Sequence, residues 1–139
     1  MRLAIRVTGT REGLRLAIEA FDGFCAQCGL ARQDAWELQV ALDEVLSNSI
    51  NHGYVGRLDG FVEVSFELSD GVLAVTVVDD GPAFDPLSLP TPDTAAPIEA
   101  RRPGGLGVYF VKRLTDRAAY ERRDNRNRFV FARRVANIP

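Results

Sequence analysis

Glu44, Asn48 and Asn51 fall in one stretch, Leu42-Asp43-Glu44-Val45-Leu46-Ser47-Asn48-Ser49-Ile50-Asn51-His52-Gly53. A helix turns about 100° per residue, so Asn48 lies roughly 40° from Glu44 and Asn51 about 20°. One carboxylate and two amides therefore share a stripe, as a metal-and-phosphate site requires. A solvent-facing polar stripe has the same spacing, and both readings stand on this stretch alone. Two further segments carry candidate chemistry: Asp79-Asp80-Gly81-Pro82-Ala83-Phe84 and Gly104-Gly105-Leu106-Gly107. Each has a plain structural reading, the first as a turn after a strand and the second as a flexible entry to a helix. The plain readings leave the order unexplained: polar helix stripe, strand-end Asp-x-Gly, proline-rich stretch, glycine-rich helix start.

Nucleotide binding with magnesium needs this set. Glycines before a helix let backbone N–H groups approach phosphates closely, and the helix dipole favours that negative charge. Magnesium keeps several waters, so one amide oxygen and the phosphate oxygens suffice as ligands. A carboxylate one helical turn away can accept a proton from water or a substrate hydroxyl. An Asp at a strand end can accept a hydrogen bond from an exocyclic amine and so select adenine. A proline-rich lid can exclude water during phosphoryl transfer. The phosphate loop Gly-x-x-x-x-Gly-Lys-Ser/Thr is absent, which directs the reading to a different nucleotide fold.

The elements that must hold these segments are legible from periodicity. Residues 2–8 alternate as a strand, with Leu3, Ile5 and Val7 on one face. Thr10 can cap a helix in which Leu14, Ala17, Ile18, Phe21, Phe24 and Cys25 face the core, and Gly29 ends it. A second helix runs from about Gln33 to His52, with Leu38, Ala41, Leu42 and Val45 inward. Phe61 to Leu68 and Val72 to Val78 form a hairpin about Asp70-Gly71, the second strand being the more apolar and more central. Six of the seven prolines fall between Pro82 and Pro103, an irregular stretch read as a mobile lid at about 86–103. Val108, Phe110, Val111 and Leu114 mark a third helix. Arg117 to Glu121 and Phe129 to Val135 close the sheet around a turn at Asp124-Asn125-Arg126-Asn127. The expected fold is α+β, a two-layer α/β sandwich. Its mixed, mostly antiparallel sheet has one wet face and one covered by about three helices.

Composition bounds the rest. The 139 residues are 46% apolar, which fits one domain, 1–139, around one core. A net charge of -2 argues against a broad nucleic-acid-binding surface. No apolar run reaches the roughly 20 residues that span a membrane, and the alternating N-terminus lacks a signal-peptide core. A cytoplasmic location is the expectation. Cys25-Ala26-Gln27-Cys28 lacks further zinc ligands beyond His52, and it sits near the end of a helix rather than at its start. The pair reads as two small buried hydrophobes.

Taken together, the three segments resemble the N box and the two glycine boxes of the GHKL (Bergerat-fold) ATPases, here Leu42 to Tyr54, Asp79 to Asp85 and Pro103 to Tyr109. Within that superfamily the chain is most similar to the small anti-sigma-factor serine protein kinases of bacterial partner switching. The resemblance implies that Glu44 is the general base and Asn48 the magnesium ligand. Asp79 would bind the adenine amine and Gly81 would give the base room. Gly104, Gly105, Leu106, Gly107 and Val108 would hold phosphates through the backbone, with Arg101 or Arg102 adding charge from the lid. Asn51 is counted with the nucleotide contacts, and His52 is read as structural. Two departures stand out: Ala83 replaces a second glycine, and the late-strand threonine of the family is replaced by no closer polar residue than Asn125 or Asn127.

The function so implied is an ATP-dependent serine/threonine protein kinase that binds a sigma factor and phosphorylates an anti-anti-sigma STAS protein, using ATP and magnesium. Homodimerisation is compatible with the resemblance, while direct nucleic-acid and membrane partners are not expected. The alternatives are a non-catalytic ATP-binding protein that sequesters its partner in a nucleotide-dependent way, and a fold remnant that binds no nucleotide.

Overall fold

The computed structural model describes residues 1–53, 60–88 and 105–136. Strand β1 (Arg2–Thr8) leads into helix α1 (Arg11–Cys28). Thr10 sits in an extended conformation and its Oγ1 accepts the Gly13 N–H at 3.1 Å, the expected N-cap. Gly29 closes the helix at φ 70°, with Leu30 N–H donating back to the Cys25 carbonyl at 3.0 Å. Helix α2 (Arg32–Gly53) follows, then strands β2 (Phe61–Ser69) and β3 (Val72–Asp79). They are joined by Asp70-Gly71 with φ of 53° and 75°, the double left-handed geometry of a tight hairpin. After a short 3-10 turn at Pro86–Ser88 come helix α3 (Gly105–Leu114) and strands β4 (Arg117–Arg123) and β5 (Arg126–Arg134).

The second hairpin is tighter than its sequence suggests. Asp124 and Asn125 alone make the turn, with φ of 54° and 60°, and Arg123 already pairs with Arg126. Both turn residues tolerate the left-handed region, so two suffice. Asn127, expected in the turn, is instead a strand residue opposite Asp79.

The sheet order is β1-β2-β3-β5-β4, with β3 central as its apolar content indicates and every pairing among the described strands antiparallel. Side chains alternate faces along a strand. Val62, Val64 and Phe66 of β2, Leu73, Val75 and Val77 of β3, and Phe129 and Phe131 of β5 are buried on the helix side. Phe66 meets Phe21 and Phe24 of α1 with ring centroids 5.1 and 5.6 Å apart. Leu38, Ala41, Leu42, Val45 and Leu46 bring α2 onto the same core, and α3 packs along α2. Of the residues marking α3, Val111 is buried while Phe110 is 41% exposed.

Cys25 and Cys28 are free and buried, and desolvation pushes the Cys25 thiol up to about 12. A thiol held so far from ionising is neither nucleophile nor ready ligand, in keeping with its reading as core. At the far end of the sheet Arg133 ties β5 to α2: it bonds Asp34 at 2.8 Å and also Glu37, while the second Asp34 oxygen accepts the Ala136 N–H at 2.7 Å. Among the described residues no helix is long and apolar enough to cross a membrane.

Two glycines of α1 predict opposite outcomes for the same substitution. A Cβ on Gly13 would lie 1.8 Å from the Thr8 carbonyl oxygen, whereas Gly23 is exposed with nothing within 4 Å. Gly13→Ala should therefore destabilise by roughly 2–3 kcal/mol, by prising α1 from β1. Gly23→Ala should stabilise by about 0.5–1 kcal/mol, through helix propensity. Urea unfolding of the two variants checks both signs.

Candidate functional site

The C-terminal half of α2 divides the polar stripe. Asn48 is buried at 4% exposure, Glu44 is half-buried one turn earlier, and Asn51 is exposed. Asn48 and Asn51 are three residues apart, about 60° round the helix, and Asn51 lies on the exposed side of Asn48 while Val45, about 60° the other way, lines the pocket with it. Among the described residues the Asn48 Nδ2 has no hydrogen-bond partner, although it is fully buried. Such an orphan is costly, about 1–3 kcal/mol, and calls for an explanation in function or in a missing ligand. Glu44 has its carboxyl raised above the ordinary glutamate range, first by burial and then by the neighbouring charge of Asp43. A raised carboxyl within one turn of an unsatisfied amide suits a proton acceptor beside a ligand site.

Asp79 ends the core-facing row of β3 and is itself buried. Its Oδ1 accepts the Gly81 N–H and the Asn127 Nδ2, both at 2.9 Å. Asn127 also donates to the Pro82 carbonyl at 2.8 Å, accepts the Phe84 N–H at 3.2 Å and accepts the Tyr120 hydroxyl. Arg122 Nη1 holds the Gly81 carbonyl at 2.8 Å. Ala83 is exposed and is not among the residues of positive φ, so the methyl that replaces glycine meets no backbone strain there.

These pieces meet in one pocket. Val45, Asn48 and Ser49 of α2 form one side, Val77 and Asp79 the sheet floor, Pro82, Phe84 and Pro86 the loop side, and Tyr120, Asn127 and Phe129 the far strands. Apolar walls with a few converging polar groups have the chemistry of a site for a flat heteroaromatic ring with an amine. The space they enclose, about 20 Å³, takes a water, so a ring enters only as the walls part. Glu44 stands beside this pocket rather than in its lining. Sequence reasoning placed Asn48 and Asp79 in it. It missed Val45, Ser49, Val77, Phe84, Tyr120 and Phe129. Val77 and Phe129 each lie two residues from a polar site residue on the same strand face, and that spacing is the signal that could have found them.

Gly105, Leu106, Gly107 and Val108 form the first turn of α3, where backbone N–H groups lack helical partners. Arg101, Arg102, Gly104 and the lid from 89 onward lie outside the described residues, as do Tyr54 and the His52 side chain. No cluster of three His, Cys, Asp or Glu suited to a metal occurs among the described residues. Magnesium held by phosphates needs none, and one amide oxygen such as Asn48 Oδ1 would be enough. The unpaired Asn48 Nδ2 is instead a donor suited to a phosphate oxygen or a water.

Residues 7–132 match the family described as histidine kinase-like ATPase domain. The chain is 25% identical over 119 residues to the serine-protein kinase RsbW of Listeria monocytogenes, covering 83% of this chain and 76% of the relative. It is 25% identical over 128 residues to the anti-sigma F factor of Clostridium botulinum, covering 89% and 85%. The crystal structure of the RsbU and RsbW domains of a Mycobacterium tuberculosis protein superposes with a TM-score of 0.72 at 18% identity. That superposition covers 99% of this chain and 33% of the other, and it supports the fold.

The orphaned amide yields a stability prediction. Asn48→Leu, close to isosteric and without the unpaired donor, should stabilise the ligand-free protein by about 1 kcal/mol. Urea unfolding without nucleotide measures this, and a loss of stability would show that Asn48 is needed by the fold itself.

Proposed function

This chain belongs to the histidine kinase-like ATPase domain family, and on that premise we propose that it is an ATP-dependent serine/threonine protein kinase and anti-sigma factor of a bacterial partner-switching system. Its substrate is a serine or threonine of an anti-anti-sigma STAS protein. The whole chain, 1–139, acts as one ATPase domain, with a sigma factor and a second copy of itself as further partners. The observation that carries the reading is the meeting of Asn48 and Asp79 in one pocket, with the raised carboxyl of Glu44 one turn from Asn48.

Asp79 accepts from the adenine amine through Oδ2, the oxygen that the internal hydrogen bonds to Oδ1 leave available. Val45, Val77 and Phe129 cover the ring. The first-turn N–H groups of α3, at Gly105, Leu106 and Gly107, hold phosphate oxygens, with the helix dipole behind them. Arg102 adds charge from the lid. Asn48 would hold magnesium through its amide oxygen, and the ion would supply charge neutralisation at the phosphates. Glu44 accepts the proton of the substrate hydroxyl as its oxygen bonds to the γ-phosphorus and ADP departs. A raised carboxyl is a stronger base than an exposed one, so burial serves the proton transfer.

Glu44→Ala should keep ATP binding within a few-fold and lower phosphoryl transfer to a cognate STAS protein by roughly 10²–10⁴. Calorimetry and a γ-phosphate transfer assay separate the two, and equal loss of both would overturn the assignment. In the wild type the base must be deprotonated, so transfer falls as pH drops through the Glu44 pKa. That acid limb should sit above the ordinary glutamate range and move to lower pH in Asp43→Asn, which removes the neighbouring charge. ATP binding without any transfer would mark the protein as a nucleotide-dependent sequestering module.

A further inference from the structure

Asn127 touches the pocket, yet all of its hydrogen-bonding capacity is used inside the protein. A side-chain amide has two N–H donors and two oxygen lone pairs. The donors go to Asp79 Oδ1 at 2.9 Å and the Pro82 carbonyl at 2.8 Å, with the Gly81 carbonyl further off at 3.4 Å. The oxygen receives the Phe84 N–H and the Tyr120 hydroxyl. These neighbours also fix which way the amide points. Three acceptors surround the nitrogen and the Phe84 N–H points at the oxygen, so the flipped amide would set its oxygen against the acceptors and its nitrogen against that N–H.

We propose that Asn127 is a positioning residue for base selectivity, acting through Asp79 and through the 81–84 segment rather than by contact with the ligand. The inference rests on the nucleotide-binding reading above and deepens it. The register brings Asn127 directly opposite Asp79 on the core face of neighbouring strands. One carboxylate oxygen thereby takes two internal donors and stops rotating, and the other is held as an acceptor for an exocyclic amine. The same amide grips the segment on both sides of Ala83, at the Pro82 carbonyl and the Phe84 N–H. Arg122 braces it again at the Gly81 carbonyl. The segment carries Pro82 and Phe84 of the pocket wall, so one side chain sets both the acceptor and the width of the slot. A base with an amine at this point is accepted; one presenting a carbonyl meets a fixed carboxylate oxygen and is rejected.

The test uses the full chain and calorimetry with magnesium and ATP, GTP or inorganic tripolyphosphate. Asn127→Asp replaces the donating nitrogen with an oxygen 2.9 Å from Asp79 Oδ1. It should lower ATP affinity at least tenfold and bring the ATP-to-GTP preference close to one. Tripolyphosphate affinity should stay within about twofold. Tyr120→Phe keeps the ring and removes one donor to Asn127, and should shift the preference two- to threefold in the same direction. If Asn127→Asp does not fold, Tyr120→Phe carries the test. An unchanged ATP-to-GTP preference in a folded variant, or equal loss of tripolyphosphate binding, overturns the proposal while leaving the nucleotide reading intact. A wild-type protein that binds neither nucleotide overturns both.

Discussion

A row of core-facing side chains that ends in a carboxylate sets the terms for this fold. Leu73, Val75, Val77 and Asp79 point to one side of the central strand, and only the last is polar. A buried carboxylate without partners would cost more than the strand's apolar contacts return, so the chain must supply donors where β3 ends. It does so twice, with the Gly81 N–H from the turn and the Asn127 amide from the adjacent strand. The turn is thereby pulled over the strand end and the loop beyond it is anchored, so the slot between loop, sheet and α2 follows from satisfying one charge.

Polar burial is handled in two ways in this molecule. Away from the pocket, Asp34 has both oxygens occupied, one by Arg133 and one by the Ala136 N–H, and Arg133 reaches Glu37 and the Leu114 carbonyl as well. That cluster is complete and joins α2, α3 and β5. At the pocket the accounts are left open: Asn48 has a buried unpaired nitrogen, and Glu44 is held in surroundings that disfavour its charge. Groups kept unsatisfied at some expense to stability, on a helix whose other inward residues are fully packed, mark the place where a ligand completes the structure.

Much of the scaffold was legible because it depends on local chemistry. The capping Thr10, the left-handed Gly29 and the Asp70-Gly71 turn act within a few residues, and strand alternation reports burial directly. The three polar segments were legible as a set through their order. The pocket walls were not, because Val45, Val77 and Phe129 look like any core residues until the sheet places them beside Asp79. The effect of alanine in place of glycine at position 83 likewise needed the backbone: the added methyl strains a residue at positive φ, and that conformation does not occur there.

By itself, then, the sequence determined the elements, their caps, the antiparallel hairpins and the residues able to do chemistry, since these follow from side-chain type and period. Tertiary structure alone decided which of those residues meet. It turned Asn48 into the pocket and left Asn51 exposed. The angle alone does not decide this, since Val45 stands the same roughly 60° from Asn48 on the other side and lines the pocket with it, so the seating of the helix does. It also moved Asn127 from an expected turn to the partner of Asp79, 48 residues away. That pairing depends on the register between β3 and β5, and register is set by matching two apolar rows across a sheet that no local signal describes.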